Sequence, residues 1–210
     1  MSRFNQIYSW CEAHKPKVIL EIGTWNGHNA ARMMNEIGKE AKVKYIGFDI
    51  WEDADEIENF DSLEFNAKKR VTEQDVRTYL KSYDIELIRG NTRETLPAYV
   101  KGKKKFVDLC VIDGGHSQGT IKSDLLTVMN IMKPTGTIFM DDYYYFHNQK
   151  VGAQAVLSRI QVPYTILPIA DGKPGESTLI KLAQMNMRDV PHIDSHDVPE
   201  EQAWKFDPAA

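Results

Sequence analysis

The ten residues Val18-Ile-Leu-Glu-Ile-Gly-Thr-Trp-Asn-Gly27 constrain this chain most. An apolar run ends in an acid and then breaks on two glycines, Gly23 and Gly27, and a helix-like segment follows. A short apolar run bounded by a glycine turn reads as a buried parallel strand. Glycine lets the backbone take positive φ and approach a neighbour closely, so the turn is expected to press against a ligand. Strand, sharp turn and helix together form the opening unit of an open α/β sheet.

The rest of the chain repeats that rhythm. Apolar runs at 43–48, 85–88, 106–112 and 137–140 read as further strands, and 4–14, 30–37, 63–82, 117–132 and 151–160 read as helices. Pro16 stops the first helix and Gly38 ends the second. Thr92 is placed to cap a short helix within 90–96. Two last strands, 164–168 and 177–182, are joined by the short turn Asp171-Gly-Lys-Pro-Gly175 and must therefore be antiparallel neighbours. The expected fold is an α/β, Rossmann-like seven-stranded sheet, mostly parallel, with an antiparallel C-terminal hairpin strand and helices on both faces. One domain is expected over 1–184, opening with a short N-terminal helix. A polar, acidic tail follows over 185–210, and its His192 and His196 are read as solvated residues.

Composition excludes several classes. With 42% hydrophobic and 27% charged residues among 210, the chain has the make-up of a soluble globular domain. A net charge of −4 gives no support to a nucleic-acid partner, and Lys101-Gly-Lys-Lys-Lys105 reads as a solvated loop. No apolar segment has the length of a membrane span or a signal core. Cys11 and Cys110 stand far apart and suggest no disulfide framework, so a cytoplasmic setting is expected. A small-molecule acceptor is the expected partner, with homo-oligomer formation left open.

The chemistry gathers where strands end, because open α/β sheets bind ligands at the carboxyl ends of their strands. Asp49 closes the second strand, where a carboxylate can accept hydrogen bonds from the ribose hydroxyls of a nucleoside. Ile50 and Trp51 follow, either flanking an adenine ring or, for Trp51, filling the core. Asp113 closes the fourth strand and His116 stands at the next helix start, as an acid-base group or as a helix cap. Asp141 and Asp142 close the fifth. Adjacent acids in a cleft need a neutralising cation or hydrogen-bond donors. With Asp113 they make three oxygen donors of the kind Mg²⁺ prefers. The other reading has Asp142 capping the segment after it and Asp141 contacting substrate. Tyr143-Tyr-Tyr-Phe-His147 supplies rings for an acceptor pocket or for the core.

In this order the motifs resemble those of class I S-adenosylmethionine-dependent methyltransferases over roughly residues 15–183. The match runs through Glu21–Gly27, Gly47-Phe-Asp49, Gly90–Leu96, Val111-Ile-Asp-Gly-Gly-His-Ser117 and Phe139-Met-Asp-Asp-Tyr143. The last two are similar to the metal-dependent sugar and macrolide O-methyltransferases. The resemblance implies that Glu21, Gly23, Thr24, Trp25 and Gly27 hold the methionine part of S-adenosylmethionine. It places Asp49 and Ile50 at the nucleoside, Asn91 and Thr92 near adenine, and Asp113 at the cofactor. Asp113, Asp141 and Asp142 would hold Mg²⁺. In the sugar enzymes an acid two residues past the first metal aspartate is the proposed base. Here that position is Gly115, which leaves His116 as the nearest substitute and weakens a sugar as substrate. The expected reaction is methyl transfer to a small-molecule hydroxyl, with a sugar among the candidates, assisted by Mg²⁺ that orients the acceptor and acidifies its hydroxyl. The alternatives are metal-independent N- or carboxyl-methylation, an NAD(P)-dependent oxidoreductase, which the missing GxGxxG disfavours, and a nucleoside-binding module without turnover.

Overall fold

The computed structural model describes residues 3–38, 40–53, 70–144, 151–160, 162–167 and 180–190. Seven strands form one sheet in the order β3-β2-β1-β4-β5-β7-β6. They span Val18–Ile22 (β1), Lys44–Asp49 (β2), Asp84–Arg89 (β3), Val107–Ile112 (β4), Met132–Tyr144 (β5), Thr165–Ile166 (β6) and Ile180–Asn186 (β7). The first five run parallel, whereas β7 pairs antiparallel with both β5 and β6. The expected sheet is the observed one. β7 runs to Asn186, past residue 184, where the domain was expected to end.

Among the described residues, six α-helices cover the sheet: Phe4–His14 (α1), His28–Ile37 (α2), Glu73–Tyr79 (α3), Thr92–Val100 (α4), Gln118–Ile131 (α5) and Ala153–Ile160 (α6). In α2, Ala30, Met33, Met34 and Ile37 recur at helical spacing and are buried. They pack with Ile7 and Cys11 of α1 and Val76 of α3 on one face of the sheet. Leu96 of α4, Leu125 and Val128 of α5, and Val156 of α6 pack on the other. Each such side chain contributes about 1.5–3 kcal/mol on burial.

Several local expectations shift. The helix expected over 63–82 is α3, at 73–79, started by a capping box in which Thr72 and Asp75 bond one another's backbone amides. Residues 63–69 of that expectation, the turn 171–175, and the tail from 191, with His192 and His196, lie outside the described residues. The fifth strand, expected over 137–140, runs from Met132 through Tyr144. Pro134 is tolerated because strand pairing with β4 is interrupted there: the register shifts between Val107 and Leu109. Lys101, Lys103, Lys104 and Lys105 are exposed, as read from sequence, and Lys103 lies over the Tyr99 ring at 3.1 Å. Both cysteines are buried thiols without a disulfide. Among the described residues no helix is long and apolar enough to cross a membrane.

Candidate active site

Register turns a list of strand-end residues into a row. Ile22 pairs with Phe48 and with Ile112, and Ile112 pairs with Met140. The next residue on each strand is therefore Gly23, Asp49, Asp113 or Asp141. Strand order sets them side by side at one end of the sheet as Asp49, Gly23, Asp113, Asp141.

At the centre, Gly23 has φ +92° and donates its N–H to the Phe48 carbonyl at 2.8 Å. A β-carbon there would lie 1.9 Å from the Asp113 carbonyl oxygen. The close approach that requires this glycine is thus to the end of β4, where the sequence reading expected a ligand. Gly27, with φ +76°, starts α2 and faces Val76 and Leu80.

Behind the turn, Glu21 is fully buried. It accepts a hydrogen bond from the Tyr45 hydroxyl, which also lies 3.0 Å from Thr24 Oγ1. Burial and the neighbouring Glu21 push the Tyr45 hydroxyl well above its ordinary range. Gly47 stands opposite Glu21, and a side chain on it would collide with Thr24 Oγ1 and the Tyr45 ring, at 2.4 and 2.8 Å. Glycine inside a strand marks such a close approach, so Gly47 was the sequence signal for this cluster, and it was missed.

Asp49 holds two loops. Its carboxylate accepts from Trp25 N at 2.6 Å and from Trp51 N at 3.0 Å, and the Trp51 indole N–H donates to the Trp25 carbonyl at 2.9 Å. Trp25 and Trp51 both have positive φ, +47° and +35°, a conformation costly for large side chains and kept here by those bonds. Trp51 itself is buried in the core, which decides between its two readings. Ile50 is half-buried beside it. The cap of α4 is Asn91, whose side chain accepts from Arg93 N at 3.0 Å. Thr92, expected to be that cap, is instead a buried residue of the first turn.

The other end of the row is built by a bulge. Met140 pairs with Ala183 and Tyr143 with Lys181, so three steps on β5 match two on β7. The extra residue is Asp142, with φ +55°. Met140 and Tyr143 consequently both reach the core on one side, where Tyr143 lies 6.1 Å from Tyr164 between ring centroids. The rest of 144–147, read as pocket or core aromatics, lies outside the described side chains. Asp142 sits 3.0 Å from His116 Nε2. His116 does not cap α5: Ser117 does, accepting from Thr120 N at 3.3 Å. The His116 carbonyl accepts from Gly152 N at 2.9 Å, which fixes the loop against the start of α6.

Asp141 faces the same side as Phe139, the side covered by α1, whose Trp10 packs edge-on against Phe139. Arg3, immediately before α1, lies within reach. Its Nε donates to Asp141 Oδ1 at 2.6 Å and its Nη2 to Oδ2 at 2.5 Å. The Asp141 side chain is wholly buried and that of Arg3 is 20% exposed. Nothing in the sequence marked Arg3, since it precedes the first element and is 138 residues from its partner. As arranged, the expected Mg²⁺ donors do not fit the ion. Both Asp141 oxygens accept from a guanidinium, and Asp142 is engaged by an imidazole. Among the described residues no three His, Cys, Asp or Glu side chains come together as a metal site.

Residues 20–143, more than half of the chain, match the family model described as a methyltransferase domain. The chain belongs to this methyltransferase family. The class suggested by the motifs, class I S-adenosylmethionine-dependent methyltransferase, therefore holds, and the oxidoreductase alternative falls. No curated protein matches the sequence. Among solved structures, the chain is similar to cofactor-bound Rv0187 from MTB, with 15% identity, a TM-score of 0.62, and coverage of 90% of this chain and 82% of that one. It is also similar to the O-methyltransferase TomG from Streptomyces achromogenes in complex with SAM, with 12% identity, a TM-score of 0.60, and coverage of 87% and 78%. A Bacillus cereus O-methyltransferase in complex with SAH gives 13% identity, a TM-score of 0.60, and coverage of 87% and 80%. At these identities the structures establish the fold.

Proposed function

We propose that this methyltransferase moves the methyl group of S-adenosylmethionine to a hydroxyl oxygen of a small molecule. The carrying observation is the His116–Asp142 pair, 3.0 Å apart, next to the row that ends in Asp113 and Asp141. Transfer to a hydroxyl needs a proton acceptor, and a histidine braced by a carboxylate is one. TomG and the Bacillus cereus enzyme are O-methyltransferases, which supports the same acceptor atom.

In this reading Glu21, Thr24 and the Gly23–Gly27 turn hold the methionine end of the donor. Asp49 takes the ribose, and Asn91 and Thr92 border the adenine. The acceptor oxygen attacks the methyl carbon in line with the sulfur. The new C–O bond forms as the C–S bond breaks, and S-adenosylhomocysteine leaves as a neutral thioether. Positioning supplies much of the rate. His116 shares its Nε2–H with Asp142 and takes the hydroxyl proton on Nδ1. Asp142 steadies the imidazolium that results. No step is assigned to Mg²⁺.

The test begins with calorimetric titration of S-adenosylhomocysteine and continues with a panel of small hydroxyl, amine and carboxylate acceptors. Turnover is followed as S-adenosylhomocysteine release, and the product is located by mass spectrometry and NMR. Methyl groups found on nitrogen or carboxylate would overturn the O-methylation reading. Binding without turnover on any class would return the chain to a nucleoside-binding module.

A further inference from the structure

We propose that the guanidinium of Arg3 occupies the place a divalent cation would otherwise take among Asp113, Asp141 and Asp142, and that this enzyme works without a metal. The inference rests on the methyltransferase reading for the identity of the site and on the side-chain geometry for its content.

Adjacent acids at a strand end require positive charge or donors. Arg3 supplies both. Two parallel N–H···O bonds of 2.6 and 2.5 Å satisfy both oxygens of a wholly buried carboxylate, the fork-to-fork geometry that makes arginine-carboxylate pairs specific. A metal ligand needs at least one of those oxygens. Arg3 thus sets its fixed positive charge on Asp141, in the row where Asp113 stands beside it and Asp142 follows it. Its backbone sits at the entrance to α1, its side chain makes no cap there, and its guanidinium lies 4.8 Å from the Phe4 ring centroid. The rest of α1 is anchored against the sheet through Ile7, Cys11 and Trp10.

The arrangement also divides the acids by task. Asp141, neutralised by Arg3, is a buried anchor. Asp142, displaced by the bulge, is left to orient His116. A divalent ion drawing in both would compete with the imidazole for Asp142. Arg3 is in this sense a positioning residue: it keeps Asp141 from recruiting a metal and so preserves the His116–Asp142 pair.

The test uses the full chain and Mn²⁺, counted by loss of the free-ion EPR signal, in the wild type, Arg3→Gln and Arg3→Lys. The wild type and Arg3→Lys are expected to bind no stoichiometric Mn²⁺ at sub-millimolar concentration, and their melting temperatures should ignore chelator. Arg3→Gln should bind Mn²⁺ at least tenfold more tightly than the wild type and melt higher when Mn²⁺ is added. One equivalent of Mn²⁺ on the wild type overturns the proposal, and that measurement stands even if Arg3→Gln does not fold. A folded Arg3→Gln with no gain in Mn²⁺ affinity overturns it as well, reducing Arg3 to a structural ion pair. S-adenosylhomocysteine titrated in parallel separates the two readings: if the wild type does not bind it, the donor assignment fails whatever Mn²⁺ does.

Discussion

Gly23 and Asp113 stand closer than any side chain would allow: a β-carbon on Gly23 would lie 1.9 Å from the Asp113 carbonyl oxygen and 2.5 Å from its carbon. The ends of β1 and β4 are therefore locked together at the middle of the row of site residues, with Asp113 N donating to the Ile22 carbonyl at 2.8 Å. The turn after β1 and the loop after β4 are therefore held against one another.

Gly23→Ala should destabilise the protein by about 3 kcal/mol, combining overpacking against immovable backbone with a positive φ that alanine resists. Chemical denaturation measures it. A loss below about 1 kcal/mol would show that β1 and β4 can separate at little cost.

His116→Ala should lower kcat by a factor of roughly 10²–10⁴, the usual worth of a general base. Asp142→Asn should act in the same direction with a smaller effect. S-adenosylhomocysteine affinity should change little in either variant, since the proposed function assigns both residues to the acceptor. Wild-type kcat in His116→Ala would remove this histidine from the proton transfer.

Tyr45→Phe deletes the donor to fully buried Glu21. Removing the donor to a buried acceptor costs about 1–3 kcal/mol, which should lower the denaturation midpoint accordingly. Gly47→Ala should destabilise more, because its β-carbon would meet Thr24 Oγ1 at 2.4 Å. If Tyr45→Phe proves as stable as wild type, Glu21 does not depend on that hydroxyl.

Alkaline stability follows from buried thiols and phenols. Burial, helped by Glu21, pushes Cys11 from 9.0 to about 12 and Tyr8 from 10.0 to about 12. Cys110 and Tyr45 are raised as well, again first by burial. The folded state then holds these protons more tightly than the unfolded chain. Their contribution is complete below pH 9, where unfolded thiols begin to ionise, and is lost as pH rises toward the folded values. Melting temperatures should fall progressively between about pH 9 and 11. A flat profile would mean that these groups are exposed.

Much of the fold was legible because its signals are local. Apolar runs, glycine breaks and helical periodicity each lie within a dozen residues. Residues such as Asp49, Asp113 and Asp141 were recognisable as strand-end acids for the same reason. Trp51 and Asn91 were harder, since whether a side chain lines a ligand pocket, fills a core or caps a helix depends on what packs against it.

The sequence by itself determined which residues reach the functional end of the sheet and what chemical types they are. Tertiary structure decided how they are paired. Strand order placed Gly23 against Asp113. A one-residue bulge in β5 turned Asp142 toward His116 while leaving Asp141 on the side of α1. Arg3 then met Asp141 across 138 residues. The physical reason is that charge neutralisation is settled by whichever cation the packed elements bring within hydrogen-bonding distance, and that depends on face, register and strand order, which no local pattern encodes.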